Sequence, residues 1–176
     1  MKIRPAVVAD AASIAHIHVA SWRAAYAGIV SQTYLDSLDE SQFAERWRDW
    51  ITTETSALIF IAEIDDTLCG FASAGPIRKQ THKPVTFYDG ELYAIYLLPA
   101  MQRKGIGRAL FIHIASELAA QSMNNMLLWS LRDNPSTGFY ERMSGTIVAE
   151  DIYEIGGESL PTVAYGWTDL ATRGWR

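Results

Sequence analysis

The chain has 176 residues, of which 49% are hydrophobic and 20% charged, a balance that predicts a soluble globular domain over residues 1–176 and excludes a disordered chain. The formal net charge of −5 argues against a general nucleic-acid binder and mildly favours cationic partners such as amines. A single cysteine, Cys69, excludes an internal disulfide framework and predicts a cytoplasmic protein, and no apolar run is long enough to predict a membrane span.

The first half of the chain predicts a strand, three helices and a hairpin. Asp10 is expected to cap the first helix, which carries apolar side chains toward Trp22 and stops before Gly28. The pair Asp65-Asp66 joins two β-runs and indicates a hairpin turn. The predicted elements are a strand over 2–4, helices starting near 10, 31 and 39, and strands over 57–63 and 68–74.

The second half predicts alternating strands and helices after a loop. The predicted elements are a loop over 75–90, strands over 91–98 and 126–131, helices over 107–121 and 135–143, and closing strands over 146–155 and 162–168. No internal repeat or low-complexity segment is present. The order predicts one layered, mixed α/β domain.

The stretch 91–108, reading ELYAIYLLPAMQRKGIGR, predicts an anion site. It leads an apolar strand through a basic, glycine-rich turn into a helix. Gly105 and Gly107 leave main-chain amides open to a ligand, and the first amides of the helix point the same way. Arg103, Lys104 and Arg108 add positive charge. A diphosphate ligand is therefore expected, with an ordinary tight turn as the alternative.

This turn differs from two better-known phosphate loops. A P-loop has Lys after its last glycine and then Ser or Thr, whereas here Lys104 precedes Gly105. A dinucleotide-binding turn has a third glycine where this chain has Leu110. What remains is a Gln-x-x-Gly-x-Gly pattern over 102–107.

A second motif follows the strand over 126–131. Asn134-Pro135 is followed by the run GFYERMSG over 138–145. Together with the Gln-x-x-Gly-x-Gly turn, and in this order, the motif resembles the GNAT superfamily of acyl-CoA-dependent N-acetyltransferases over nearly the whole chain. The runs 22–28 and 164–167 are similar to those of a bacterial subgroup whose acceptors are unassigned.

The resemblance implies a fold and a cofactor. The fold is a twisted, mostly antiparallel sheet of about seven strands, with helices on both faces and two central strands splayed apart. The co-substrate is acetyl-CoA, with its pantetheine in the gap between the splayed strands. Asn134 lies six residues before Tyr140, where many members have seven, so Asp133 is the alternative at that place. The cofactor-binding residues implied are Ile95, Tyr96, Leu97, Arg103, Lys104, Gly105, Ile106, Gly107, Arg108 and Asn134.

Glu91 is the candidate general base. It lies eleven residues before Gln102, where the histone-acetylating branch of the resembled family has its base. Strict alternation along the strand would place Glu91, Tyr93, Ile95 and Leu97 on one face. Glu91 could take the amine proton directly or through water, and the alternative is a solvated residue at a strand start.

Tyr140 is the candidate general acid. A phenol with a pKa of about 10 keeps its proton at neutral pH and can donate it to a thiolate whose own pKa is about 8.5. The alternative is an aromatic side chain packed in the core. The resemblance also implies the backbone N–H groups of Tyr96 and Leu97 as donors to the tetrahedral oxyanion.

The acceptor side is less defined. The resemblance places acceptor-binding elements near Trp22 and Tyr26, although core packing of Trp22 is an equal alternative, and Tyr93 can shape the acceptor pocket. Arg78, Lys79 and Lys83 predict a basic loop that either reaches a cofactor phosphate or is solvated. The acceptor is a small-molecule or protein amine, with no nucleic-acid or membrane partner, and a homodimer is plausible.

The sequence thus predicts an enzyme that moves an acetyl group from acetyl-CoA to a primary amine by direct transfer in a ternary complex.

No metal is expected, because His16 and His18 are two apart on a helix and cannot share a face. Cys69 is not needed as a nucleophile. The main alternative is a non-catalytic acyl-CoA sensor or assembly module, and a phosphotransferase is a weaker one because Ser/Thr and acidic magnesium ligands are lacking.

Overall fold

Seven strands form one sheet in the computed structural model, which describes residues 1–78 and 85–175. The strands are β1 (Lys2–Pro5), β2 (Leu58–Ile64), β3 (Thr67–Pro76), β4 (Gly90–Leu97), β5 (Met126–Leu131), β6 (Thr146–Ile155) and β7 (Glu158–Trp167). The α-helices are α1 (Ala11–Ala25), α2 (Gln32–Ser37), α3 (Glu40–Thr53), α4 (Ile106–Ala120) and α5 (Thr137–Arg142). Short 3₁₀ turns span Val8–Asp10 and Pro99–Met101.

The strand order is β1-β2-β3-β4-β5-β7-β6. In the described part of the chain, every neighbouring pair is antiparallel except β4 and β5. These two strands run parallel and pair only at Gly90 with Met126 and at Glu91 with Leu127. Beyond Glu91 they separate. The predicted mixed α/β fold, with a mostly antiparallel seven-stranded sheet and two splayed central strands, is confirmed.

Helices cover both faces of the sheet, as predicted. On one face, α1 and α3 bury Ile14 and Trp47 against Phe71 of β3. On the other face, α4 buries Leu110 and Phe111 together with residues of β5, β7 and α5. The core is therefore split by the sheet into two apolar layers, and the gap between β4 and β5 lies between them.

A third apolar cluster joins the first two helices to the β6–β7 hairpin. It includes Tyr26 at the C-terminal end of α1, Leu35 of α2 and Ile155 of β6. Gly156 is needed in the hairpin turn, because its φ is +59° and an added Cβ would lie 2.8 Å from Tyr34.

Local sequence signals set several element ends. The Asp39 side chain accepts hydrogen bonds from the amides of Ser41 and Gln42 and caps α3. Asp10 occupies the N-cap position of α1 but caps no α1 amide, which was not expected. Its carboxylate instead accepts from the Val7 amide at 2.8 Å and from Arg4.

Two predicted strand boundaries are corrected. Strand β3 continues to Pro76, because β4 begins opposite it at Gly90. Strand β7 begins at Glu158 and passes through Pro161, which was predicted to precede it. The Pro161 carbonyl accepts from the Arg132 amide, so the nitrogen of Pro161, which has no N–H, faces the β5 side. The last β5–β7 pair is Leu131 with Thr162, so Pro161 lies just beyond the end of β5.

The hairpin turn between β2 and β3 and the state of the cysteine agree with expectation. Asp65 and Asp66 both have positive φ, at 49° and 59°, as a two-residue hairpin turn requires. Cys69 is a buried free thiol. Within residues 1–78 and 85–175, no helix is both long enough and apolar enough to cross a bilayer.

Candidate active site

The splayed strands open a central cavity of about 610 Å³. Its walls come from α1, β4, β5, the first turn of α4, and α5 with the loop that precedes it. The site residues predicted from sequence that line it are Tyr26, Tyr93, Ile95, Tyr96, Leu97, Arg103, Gly105, Gly107, Arg108, Asn134 and Tyr140. Glu91, Trp22, Lys104 and Ile106 are not among its lining residues.

One edge of β4 is free to bind a ligand through its main chain. The Leu98 amide donates to Cys69 of β3 at 3.0 Å, and alternate residues of a strand direct their amides to the same side. The Tyr96 amide therefore also faces β3, whereas the amides of Ile95 and Leu97 face the gap. The expectation that the Tyr96 N–H serves an oxyanion in the gap is wrong for this register.

A β-bulge at Tyr93 corrects the predicted alternation along β4. Ser73 pairs with Ala94 and Ala74 pairs with Leu92, so Tyr93 is an extra residue in the ladder. Ile95 consequently packs in the α4 layer, while Tyr93 stacks on Trp50 of α3 at 5.7 Å on the opposite face. The prediction that these side chains share a face is wrong, because the bulge moves the later residues to the other side.

The glycine-rich turn bends sharply into α4. Gly105 is the N-cap with φ +81°, and Arg103 also has positive φ, at 62°. The first amides of α4 have no helical acceptor and lie beside the cavity. The Ile106 side chain is buried in the core, so only its amide can serve a ligand. Arg108 lines the cavity and donates to the Trp175 carbonyl at 2.8 Å.

Tyr140 projects from α5 into the cavity and is buried. Burial raises the pKa of its hydroxyl above the ordinary value, and the nearby Tyr96 and Tyr165 add to the shift. The hydroxyl therefore stays protonated well beyond neutral pH. Burial and these two neighbouring phenols, rather than a hydrogen bond, account for the shift. Tyr140 is thus both a buried aromatic and an available proton donor.

Two more phenols lie close to Tyr140. The Tyr96 hydroxyl accepts a hydrogen bond from Trp22 Nε1 at 3.0 Å, and the Tyr26 hydroxyl accepts one from Asn134 Nδ2 at 3.1 Å. Burial raises the pKa of both hydroxyls. Because each oxygen already accepts an N–H, and at most one of the two hydroxyls can donate to the other, at least one phenolic proton is left for another acceptor.

Asn134 holds the loop between β5 and α5. Its Oδ1 accepts from the Ser136 amide at 2.8 Å, and its Nδ2 donates to Ser130 Oγ at 3.0 Å as well as to Tyr26. These bonds fix the orientation of the amide group. Asp133, the alternative at this place, is exposed and lies outside the cavity.

Glu91 is ion-paired rather than solvated. It is 1% exposed, and its carboxylate accepts from the Arg78 amide at 2.9 Å and from Arg78 Nε at 3.1 Å. The alternative of a solvated strand start is therefore wrong. The Arg78 part of the predicted basic loop binds this carboxylate, whereas Lys79 and Lys83 lie outside the described residues.

Tyr93 is held rigidly next to this ion pair. Its hydroxyl donates to the Pro76 carbonyl, and the Arg78 guanidinium lies 4.3 Å from its ring centroid. Burial, with the nearby Glu91 charge adding to it, raises the pKa of Tyr93 to about 12. The Trp22 ring, by contrast, packs on the Tyr26 ring with 4.7 Å between their centroids. Trp22 is linked to the cavity through its hydrogen bond to the Tyr96 hydroxyl.

Several lining residues were missed by sequence reasoning. Ser21 Oγ donates to the Leu97 carbonyl at 2.9 Å and ties α1 to the end of β4. Ser21 and Ser130 lie in no motif, and Arg142 lies in the run 138–145 but was given no role. Within the described ranges, no group of three or more His, Cys, Asp or Glu side chains could hold a metal ion.

Comparison with known proteins places this geometry in a family. A family model for the acetyltransferase (GNAT) family matches residues 16–145. An uncharacterized N-acetyltransferase, YuaI, from Bacillus subtilis is 41% identical over 170 residues, covering 96% of this chain and 94% of that protein.

More distant relatives carry named acceptors. Phosphinothricin N-acetyltransferase of Streptomyces viridochromogenes is 24% identical over 83% of this chain and 74% of its own. Spermidine N(1)-acetyltransferase of Thermoplasma acidophilum is 28% identical over 79% of this chain and 83% of its own. Among solved structures, the acetyltransferase yncA of Salmonella typhimurium, with its cofactor acetyl-CoA, has a TM-score of 0.70 at 21% identity, covering 96% of this chain and 93% of that one.

Proposed function

Because this chain belongs to the GNAT acetyltransferase family and is an acyl-CoA-dependent N-acetyltransferase with acetyl-CoA as co-substrate, we propose that it transfers the acetyl group directly to a primary amine in a ternary complex. The observation that carries the proposal is the gap between β4 and β5, where a free strand edge, a glycine-rich turn and Tyr140 meet in one cavity. The alternative of a non-catalytic acyl-CoA sensor is not favoured by these relatives.

The diphosphate of the cofactor is proposed to bind at the start of α4. The unpaired amides of Ile106, Gly107 and Arg108 suit an anion, and the helix dipole adds to them. Gly107 supports this placement: an added Cβ would meet only ordinary contacts, the nearest at 3.4 Å from Leu97, so core packing does not require glycine here. Arg103 and Arg108 supply counter-charge, while Lys104 is exposed and adds charge from outside the cavity.

The pantetheine is proposed to lie along β4 as an added strand. The Ile95 and Leu97 amides face the gap and can donate to its carbonyl groups and to the thioester oxygen. Tyr96 contributes its side chain rather than its amide. Asn134 is proposed to border the cofactor from the opposite wall, since it is buried there and lines the cavity.

Tyr140 is proposed to protonate the leaving thiolate. Its raised pKa keeps the hydroxyl protonated, and its side chain lines the cavity. As the C–S bond breaks, the sulfur gains charge, and a donor in a buried cavity stabilises that charge more than water does. Phenolic protons from the Tyr26 and Tyr96 pair lie close enough to assist.

Glu91 is proposed to accept the proton of the acceptor amine through water rather than directly. Its carboxylate is buried beside the cavity and is held by Arg78, so an amine cannot reach it without an intervening group. The Arg78 guanidinium and amide both donate to this carboxylate and fix its position. Tyr93 and Tyr26 are proposed to line the acceptor path, and Trp22 to support it through Tyr96.

The acceptor is proposed to be a small-molecule or protein amine, with no nucleic-acid or membrane partner. Two relatives are named for different acceptors, so similarity alone does not select one.

We also propose that residues 1–176 form one N-acetyltransferase domain in the cytoplasm, which the buried free thiol of Cys69 supports. A homodimer is supported by the exposed Ile147 and Ile152 of β6.

A thiol-release assay tests the proposal. Incubation with acetyl-CoA and a panel of amines should release free coenzyme A only when an amine is present, and no covalent acetyl-enzyme should be detected by mass spectrometry. Binding of acetyl-CoA by calorimetry without release for any amine would instead support a sensor. Light scattering of the purified protein measures its oligomeric state.

A further inference from the structure

A second cavity, of about 500 Å³, lies beside the start of β4 and shares Tyr93 with the central cavity. It is walled by the end of α3, the segment that leads to β2, and Arg78. Its charged lining residues are Arg46, Glu54 and Arg78. Nothing in the proposed transfer step uses this cavity.

We propose that this second cavity binds the anionic group of the acceptor, so that the substrate is an amino-acid-type monoamine. Its carboxylate, or an oxyanion of similar geometry, would lie on Arg78 and Arg46, and its amine would reach the thioester past Tyr93. This inference rests on the proposed transferase function and names the acceptor class for it.

The central cavity offers no counter-charge for a second ammonium group. Its charged lining residues, among those that the structure describes, are the cations Arg103, Arg108 and Arg142. Residues 79–84 contain two lysines and no acidic residue. Glu91 is already neutralised by Arg78. A second ammonium group of a polyamine would therefore find no carboxylate among these lining residues to pair with.

The guanidinium groups of the second cavity have donors to spare. Arg78 donates from Nε and NH2 to Glu91, which leaves its NH1 group without a partner among the described residues. Arg46 is exposed. Its guanidinium carbon lies 5.3 Å from the centroid of the Phe43 ring. Two arginines at one rim suit the planar, two-oxygen geometry of a carboxylate.

The other lining residues of the second cavity suit the part of an amino acid that carries no carboxylate. The Trp50 and Tyr93 rings, which stack on each other at 5.7 Å with an angle of 29°, supply aromatic groups to this lining. Among the lining residues that the structure describes, Glu54 is the one carboxylate, and it is exposed. These described residues give two positive groups against one negative group, opposite in sign to the net charge of −5 over the whole chain.

The inference is tested with matched acceptors in the thiol-release assay. Amino acids, each paired with its carboxamide and its decarboxylated amine, are compared with linear polyamines by steady-state kinetics. The carboxylate should raise kcat/KM about tenfold or more over the paired amide, because a charge-assisted hydrogen bond is lost without it. Equal values within each pair, or a clear preference for polyamines, would overturn the inference.

Arg46→Gln probes the second cavity without touching the ion pair of Glu91. It should reduce the ratio of amino acid to carboxamide about tenfold through a higher KM for the amino acid. Arg48→Gln is the matched control, since Arg48 is exposed on the same helix and lines neither cavity. An unchanged ratio in Arg46→Gln contradicts the inference.

The two proposals fail in different ways. Thiol release with amines or polyamines but without a carboxylate preference keeps the transferase function and rejects the anionic acceptor. If no amine in the panel causes thiol release while acetyl-CoA binds, the transferase function is contradicted, and the acceptor class with it.

Discussion

The guanidinium of Arg78 and the carboxylate of Glu91 form an ion pair at the point where β4 and β5 begin to separate, although the two residues are thirteen apart in sequence. Glu91 is buried and Arg78 is 41% exposed on its side chain. The pair therefore places a negative charge beside the cavity and screens it from solvent on one side.

Glu91→Gln should shift the pH dependence of kcat/KM toward alkaline pH. The amide keeps the shape and one acceptor for Arg78 but cannot take a proton, so the amine must lose its proton in solution. Steady-state rates from pH 6 to 10 check this. An unaltered profile would assign the proton to another base.

Arg78→Gln should lower the free energy of unfolding by about 1–3 kcal/mol, because it leaves a buried carboxylate with its backbone hydrogen bond alone. Urea denaturation measures the change. Arg48→Gln, with no such partner among the described residues, should stay within about 0.5 kcal/mol of the parent protein. Equal stability of the two variants would show that the ion pair is energetically neutral.

Tyr140→Phe should lower kcat about 10²-fold or more while leaving the Kd for acetyl-CoA nearly unchanged, since it removes only the proton donor. Tyr165→Phe is the control, because its ring packs 5.5 Å from Tyr140 but lies outside the cavity. The raised pKa of Tyr140 also predicts that its protonated form persists into alkaline pH. Normal turnover in Tyr140→Phe would remove it from the mechanism.

Gly105→Ala and Gly28→Ala form a matched pair. The two glycines have φ of +81° and +79°, and neither has an atom within 4 Å of an added Cβ. Both variants should lose about 1–2 kcal/mol of stability from backbone strain. Only Gly105→Ala should weaken acetyl-CoA binding, about tenfold in calorimetry, because only Gly105 borders the cavity. Equal affinities would move the diphosphate away from this turn.

His18 predicts an acid-sensitive stability. Its ring stacks on Tyr96 at 4.8 Å, and Trp47 Nε1 donates to its Nδ1 at 3.3 Å. Burial, with the nearby Arg46 charge, lowers the pKa of His18 to about 4. The unfolded chain, with an ordinary pKa near 6.5, binds the proton first, so the free energy of unfolding falls as pH drops from about 6.5 toward 4.

Urea titrations at pH 7.5 and pH 5 measure this slope. His18→Gln, which keeps an acceptor for Trp47, should reduce the loss of stability between the two pH values. The same loss in both proteins would place the acid sensitivity at another group.

Much of the fold could be predicted because its signals are local. The Asp65-Asp66 turn, the Asp39 cap and the apolar periodicity of α4 each depend on a few neighbouring residues. The glycine-rich turn could be found for the same reason, since Gly105 needs its positive φ whatever surrounds it.

The rest depends on contacts between distant residues. The bulge at Tyr93 arises from the pairing of β3 with β4, so the sequence of β4 alone does not predict it. The partner of Glu91 lies across a long connection, so its burial and ion pair could not be predicted from spacing. Strand β7 tolerates Pro161 only because its partner β5 ends at that point.

The central claim is that acetyl-CoA lies in the gap between β4 and β5 with its diphosphate on the amides after Gly105. A crystal structure of the protein with acetyl-CoA tests it most directly. Density for the diphosphate at residues 106–108, with the thioester sulfur within hydrogen-bond reach of the Tyr140 hydroxyl, is the predicted result. A cofactor bound elsewhere, or a sulfur remote from Tyr140, would contradict the account.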